Sequence, residues 1–123
     1  MTDDLLQRLF CAIDAMDLDG FTDCLTADAT FRFGSAPPVT GTSTIRDAVG
    51  GFFSSIAALR HVLDRTVTDG DTLICEGTVT YTRHDGSQVT LPFANVFELQ
   101  GRRIHHYKIY ADIAPLYATQ SPG

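Results

Sequence analysis

Few side chains in this 123-residue chain are suited to chemistry, and three of them stand where strand periodicity turns them inward. His61, in Leu59-Arg60-His61-Val62, has an imidazole that gains or loses a proton near neutral pH, which suits general acid or base work in a pocket. Asn95 is the one amide in the alternating row Val89, Leu91, Phe93, Asn95, Phe97, Leu99. A buried amide without partners costs about 1–3 kcal/mol, so Asn95 either orients a ligand carbonyl or bonds a neighbouring side chain. Tyr107 offers a phenol donor to the same ligand, or packs in the core with its hydroxyl satisfied.

Other candidates read as structural. His105 and His106 are adjacent in a strand pattern, which is expected to send them to opposite faces, and no HxxxH or cysteine cluster adds ligands. No metal is expected. Cys11, Cys24 and Cys75 are an odd number at wide spacing, so they are read as reduced core residues in a cytoplasmic protein. No GxSxG elbow and no glycine-rich loop before a helix are present, and no cofactor is expected. Fifteen acidic against nine basic residues leave a net charge of −6, the wrong sign for nucleic acid. No apolar run is long enough to cross a bilayer, so no membrane partner is expected either.

Positioning these groups falls to elements read from periodicity. Leu5, Leu6, Leu9, Phe10, Ile13 and Met16 recur at helical spacing and predict a helix over 3–16, and Phe21, Cys24 and Leu25 a short second one ending near Thr26. Ala29 to Phe33 reads as a strand, Pro37-Pro38 with Gly41 as a loop, and a third helix follows Thr42 with Ile45, Val49, Phe52, Phe53, Ile56 and Leu59 on one face. The period then changes to two. Strands are expected over His61–Thr68, Thr72–Arg83, Gln88–Leu99 and Arg102–Asp112, joined by short turns into an antiparallel meander. Helices ahead of such a sheet make an α+β domain over 1–118, with 119–123 as a flexible tail. Ile74, Val96, Ile104 and Tyr110 fall on the outer face, which is expected to pair two copies into a homodimer.

This element order, with Asp17-Leu18-Asp19-Gly20, Asp28-Ala29-Thr30-Phe31, Gly41-Thr42-Ser43-Thr44-Ile45-Arg46 and Phe97-Glu98-Leu99-Gln100-Gly101-Arg102-Arg103-Ile104, resembles the SnoaL-like branch of the NTF2-like superfamily. The resemblance implies a cone in which a strongly curved, largely antiparallel sheet wraps the helices around an apolar pocket. The ligand is then expected to touch Phe33, Phe53, Leu63, Val79, Tyr81, Phe93 and Ile109. Steroid-isomerase relatives carry a carboxylate base where this chain has Phe33, a tyrosine near Leu9 and an acid donor at Asn95. Epoxide-hydrolase relatives carry an aspartate at the place of Ile109. Dehydratase relatives commonly carry a histidine where His61 stands, the one match that keeps a proton-transfer group. The resemblance therefore implies a cofactor-free dehydratase, cyclase or isomerase acting on an apolar carbonyl-bearing ligand, with His61, Asn95 and Tyr107 as catalytic residues. The alternative is a non-catalytic ligand-binding or dimeric adaptor module of the same fold.

Overall fold

Helical spacing of apolar residues closes the first segment into α1 (Thr2–Asp14), whose Leu5, Leu6, Leu9, Phe10 and Ile13 are all buried. The computed structural model describes residues 2–117, so the tail expected at 119–123 lies outside the described residues. Met16 ends the helix in the left-handed region, at φ 55°, with its N–H bonded to Ile13 O and that of Asp17 to Ala12 O. This is a Schellman cap built on methionine where glycine is usual. Asp17, the residue that breaks the first helical pattern, then caps α2 (Leu18–Thr22) by accepting from the Gly20 N–H at 3.1 Å.

Several expected boundaries move: the second helix ends at Thr22 and not near Thr26, the strand after the third helix begins at Ala58, three residues before His61, and the last strand stops at Tyr110. The chain is extended from Leu25, not Ala29, because β1 (Leu25–Phe33) pairs in parallel with the last strand through Leu25 opposite Ile104. The polar stretch Thr26-Ala27-Asp28 hides that half of the strand from any alternation. Beyond Pro37-Pro38 a two-residue edge strand, β2 (Val39–Thr40), pairs with Thr30 and Phe31. The helix after it, α3 (Thr42–Ser54), runs through Gly50-Gly51 and stops short of Ile56 and Leu59. The hydroxyls of Ser54 and Ser55 bond back to the carbonyls of Gly50 and Phe52, satisfying the helix end at that point. Ile56 and Leu59 are buried all the same, Leu59 from within the next strand.

The meander is β3 (Ala58–Asp69), β4 (Thr72–Thr82), β5 (Gln88–Gln100) and β6 (Arg103–Tyr110), and the six strands form one curved sheet in the order β2-β1-β6-β5-β4-β3. A short α4 (Ala114–Tyr117) follows, with Leu116 buried and the Arg83 guanidinium donating to the carbonyls of Pro115 and Leu116. Alternation assigns the faces of β4 and β5 well: Leu73, Cys75, Val79 and Tyr81 are buried, as are Leu91, Phe93, Asn95 and Phe97.

Register shifts upset the parity elsewhere. Between Glu98 opposite His106 and Leu99 opposite Ile104, β6 carries one extra residue. Ile104, expected on the outer face, is therefore turned inward and fully buried. The same bulge overturns the opposite-face reading of the histidine pair: the rings of His105 and His106 lie 4.5 Å apart, bonded to Thr26 and Thr30 respectively. Val62, Val67, Ile74 and Tyr110 are the large apolar side chains that remain exposed on the sheet. Cys11 is a further correction, since it sits on the outward side of α1 and is exposed, whereas Cys24 and Cys75 are buried.

A second shift lies in β3, where Asp64 is extra between Leu63 opposite Gly77 and Arg65 opposite Glu76. Here β3 comes so close to β4 that a Cβ at position 77 would stand 1.9 Å from the Val62 carbonyl oxygen. Only glycine fits there. Gly77→Ala is expected to lower stability by about 3 kcal/mol through this overlap, read as a fall in the urea midpoint. An unchanged midpoint would contradict the close approach.

Candidate functional site

Where the helices meet the concave side of the sheet, the core leaves a cavity of about 260 Å³. His61, Asn95 and Tyr107, on three different strands, all line it. So do Phe33, Phe53, Val79, Tyr81, Phe93 and Ile109. Leu63 does not; it lies with Leu6, Gln7, Phe10, Cys11 and Asp14 along an open groove between α1 and β3. The strand that carries His61 to the cavity thus turns its next inward residue past the cavity's end. His61 lines both the cavity and the groove.

The histidine is clamped by a residue that the sequence reading passed over. Asp14, the last residue of α1, accepts from the His61 backbone N–H at 3.0 Å through Oδ2 and meets the ring Nδ1 at 2.7 Å through Oδ1. An ionised carboxylate can only accept, so the neutral ring carries its proton on Nδ1 and leaves Nε2 as a free base. The ring packs between Phe10, at 4.8 Å, and Phe93, edge to face at 5.1 Å. Local preference opposes the carboxylate: a negative charge at a helix C-terminus is disfavoured by the helix dipole, and α1 has no basic residue in its last turn. The signal was nonetheless present. Asp14 follows Phe10 by four residues and so falls on the apolar stripe of the helix, where an unpartnered carboxylate would not be placed.

The other polar groups of the cavity are uncharged. Asn95 is 2% exposed, and its Oδ1 has no hydrogen-bond partner among the described residues. Burial pushes the Tyr107 phenol well above its ordinary range, with the Cys75 and Cys24 thiols adding to the effect. Burial likewise raises Tyr81 to about 12, and the Cys75 thiol to about 12. At neutral pH both phenols therefore remain donors and the thiol remains inert. Phe33 and Ile109 fill the cavity wall with hydrocarbon, and Leu9 is a fully buried core residue. Among the described residues no group of three or more histidine, cysteine or acidic side chains has the geometry to hold a metal ion, and no helix is long and apolar enough to cross a membrane.

This arrangement of cavity, sheet and helices has clear relatives. Residues 6–107 match the SnoaL-like domain. The chain belongs to that family. Among solved structures, the SnoaL-like chain superposes on an NTF2-like protein of unknown function from Burkholderia pseudomallei with a TM-score of 0.83 at 19% identity, covering 92% of each chain. A protein from Jannaschia described as a SnoaL-like polyketide cyclase gives 0.83 at 18% identity, covering 98% of this chain and 92% of that one. An epoxide hydrolase from M. tuberculosis gives 0.77 at 17%, over 89% of this chain and 81% of that one. The search of curated proteins gave no match. Such likenesses establish the fold and leave the chemistry to the site.

The buried phenols of this SnoaL-like domain carry a pH signature. A tyrosine whose folded pKa exceeds its unfolded value, about 10, keeps its proton in the folded state after the unfolded chain has lost it. The stability it contributes is complete below pH 10 and is lost as pH rises toward 12 for Tyr81 and further still for Tyr107. Stability should therefore fall through this window, with Tyr81 and Tyr107 ionising only as the fold opens. Phenolate absorbance showing all four tyrosines titrating together near pH 10 in a folded protein would contradict their burial.

Proposed function

We propose that this SnoaL-like domain is a cofactor-independent lyase or isomerase, acting by proton transfer on a small apolar ligand that carries a carbonyl group. The observation that supports it is the Asp14–His61 clamp at the wall of an apolar cavity, which leaves Nε2 unprotonated and available to a ligand. In this reading, Nε2 removes a proton from the carbon next to the carbonyl, and the electron pair of that C–H bond moves toward the carbonyl oxygen. Asp14 stabilises the imidazolium that forms. The developing oxyanion accepts from the Tyr107 hydroxyl, which burial keeps protonated. Asn95 turns its carboxamide to the same ligand. Where a C=C bond lies beyond that carbon, the enolate pair shifts through it and the proton returns from His61 to its far carbon, giving an isomer. Where the next carbon carries a hydroxyl, its C–O bond breaks as C=C forms and the proton goes to the departing hydroxyl, giving water. Such a division of work suits an apolar wall, where fixed dipoles act in a low dielectric.

The proposal is tested on 2-tetralone, a two-ring ketone with acidic C–H bonds beside its carbonyl, by following deuterium uptake from heavy water by NMR. The wild-type protein should accelerate exchange. His61→Gln should lose about 10²- to 10⁴-fold of that acceleration. Asp14→Asn, which leaves the cavity intact and spoils the tautomer, should lose at least about tenfold. Acceleration that survives His61→Gln undiminished would favour the binding module, in which the cavity holds a ligand without transforming it.

A further inference from the structure

Most of the cavity wall belongs to the packed core, but one stretch of it is held in place by polar bonds. Beyond β6 the chain gives Ala111 and Ile113 to the lining and then turns into α4, where Leu116 is the one buried side chain. A helix of four residues leaves its last carbonyls without partners of its own. Arg83, the first residue after β4, meets two of them: Nε donates to Leu116 O at 3.0 Å and Nη2 to Pro115 O at 2.9 Å. Its Nη1 donates to Ser87 Oγ at 3.1 Å and its backbone N–H to Ser87 O at 2.8 Å, which seats the guanidinium on the turn between β4 and β5.

The next residue of that turn grips the other helix. His84 Nε2 donates to Ser54 O, the last carbonyl of α3, at 2.9 Å. Neither helix carries a basic residue in its own last turn, so the donors that a helix C-terminus favours come from the hairpin. A third tie joins the two helices directly, Ser55 Oγ to Tyr117 Oη at 2.9 Å. Exposed hydrogen bonds and little buried hydrocarbon mark a segment that opens at lower cost than the core around it. We infer that residues 111–117 form a strap that closes one wall of the cavity, that its opening admits the ligand, and that Arg83 sets how often it opens. This rests on the cavity being the ligand site of the reading above, and it is independent of whether His61 moves a proton. A ligand that passes only through the open form has both its rates scaled by the open population, while its affinity holds as long as the closed form dominates.

The test uses 2-naphthol, whose fluorescence reports binding in stopped flow because the chain has no tryptophan. An apolar cavity of about 150 Å³ holds benzene, so one of about 260 Å³ has room for this two-ring probe. Arg83→Met keeps the aliphatic stem and removes every donor. It should raise the association and dissociation rates together, each at least about tenfold, and leave Kd within about twofold of wild type. Hydrogen exchange reads the strap without a ligand: the Leu116 N–H, bonded to Ile113 O at 2.9 Å, should exchange at least about tenfold faster in Arg83→Met, with the β5 amides at their wild-type rates. Unchanged rates, a Kd weakened through dissociation alone, β5 amides that accelerate along with Leu116, or no binding of 2-naphthol would each overturn the inference. Gated binding of 2-naphthol by a protein that fails to exchange 2-tetralone would keep it and remove the proton-transfer reading. Should Arg83→Met not fold, Tyr117→Phe, which removes only the tie to Ser55, should give the same joint rise at about two- to tenfold, and unchanged rates there would overturn it.

Discussion

A carboxylate placed at the wrong end of a helix holds the one histidine in the wall of this fold's cavity. Asp14 sits where the α1 dipole disfavours negative charge, and its two oxygens close on one residue of β3, taking the His61 backbone with one and the ring with the other. That clamp joins the helical layer to an edge strand and sets the tautomer of the imidazole in the same contact. The helix must end there for the geometry to exist. It does so through the Met16 cap, which accepts a left-handed backbone without glycine and passes the chain directly to the Asp17 cap of α2.

Around the clamp, the cavity is built almost wholly of hydrocarbon. Phe31, Phe33, Phe52 and Phe93 wall it, and the polar atoms that interrupt them are few: one imidazole, one carboxamide and two phenols held protonated by burial. Few polar groups in a hydrocarbon wall give each of them large influence on what binds there. The Cβ-free approach at Gly77 brings β3 against β4 two residues beyond His61, next to the register shift at Asp64.

The sequence was most legible where side chains alternate without interruption. Parity alone turned Val79, Tyr81, Phe93 and Asn95 inward, and the family resemblance supplied the order of the elements and the histidine on the strand after α3. Register was not legible. One extra residue in β6 buries Ile104 and sets His105 beside His106, and one in β3, Asp64, shifts the strand beyond Leu63, and neither bulge has a turn or glycine in its own strand to announce it. Asp14 illustrates a different gap: its place on the apolar stripe is a local signal, but its meaning needs the partner 47 residues away. Cys11 was misplaced because burial is common for the residue type, while the helix phase at that position faces water.

The claim on which the account turns is that Asp14 holds the neutral His61 ring with its proton on Nδ1, leaving Nε2 without one. Nitrogen-15 chemical shifts of the histidine side chains, recorded above the pH at which the rings are neutral, report the tautomer directly. The account predicts that His61 is the Nδ1–H form and that Asp14→Asn abolishes this preference. A neutral His61 carrying its proton on Nε2 in the wild-type protein would contradict it.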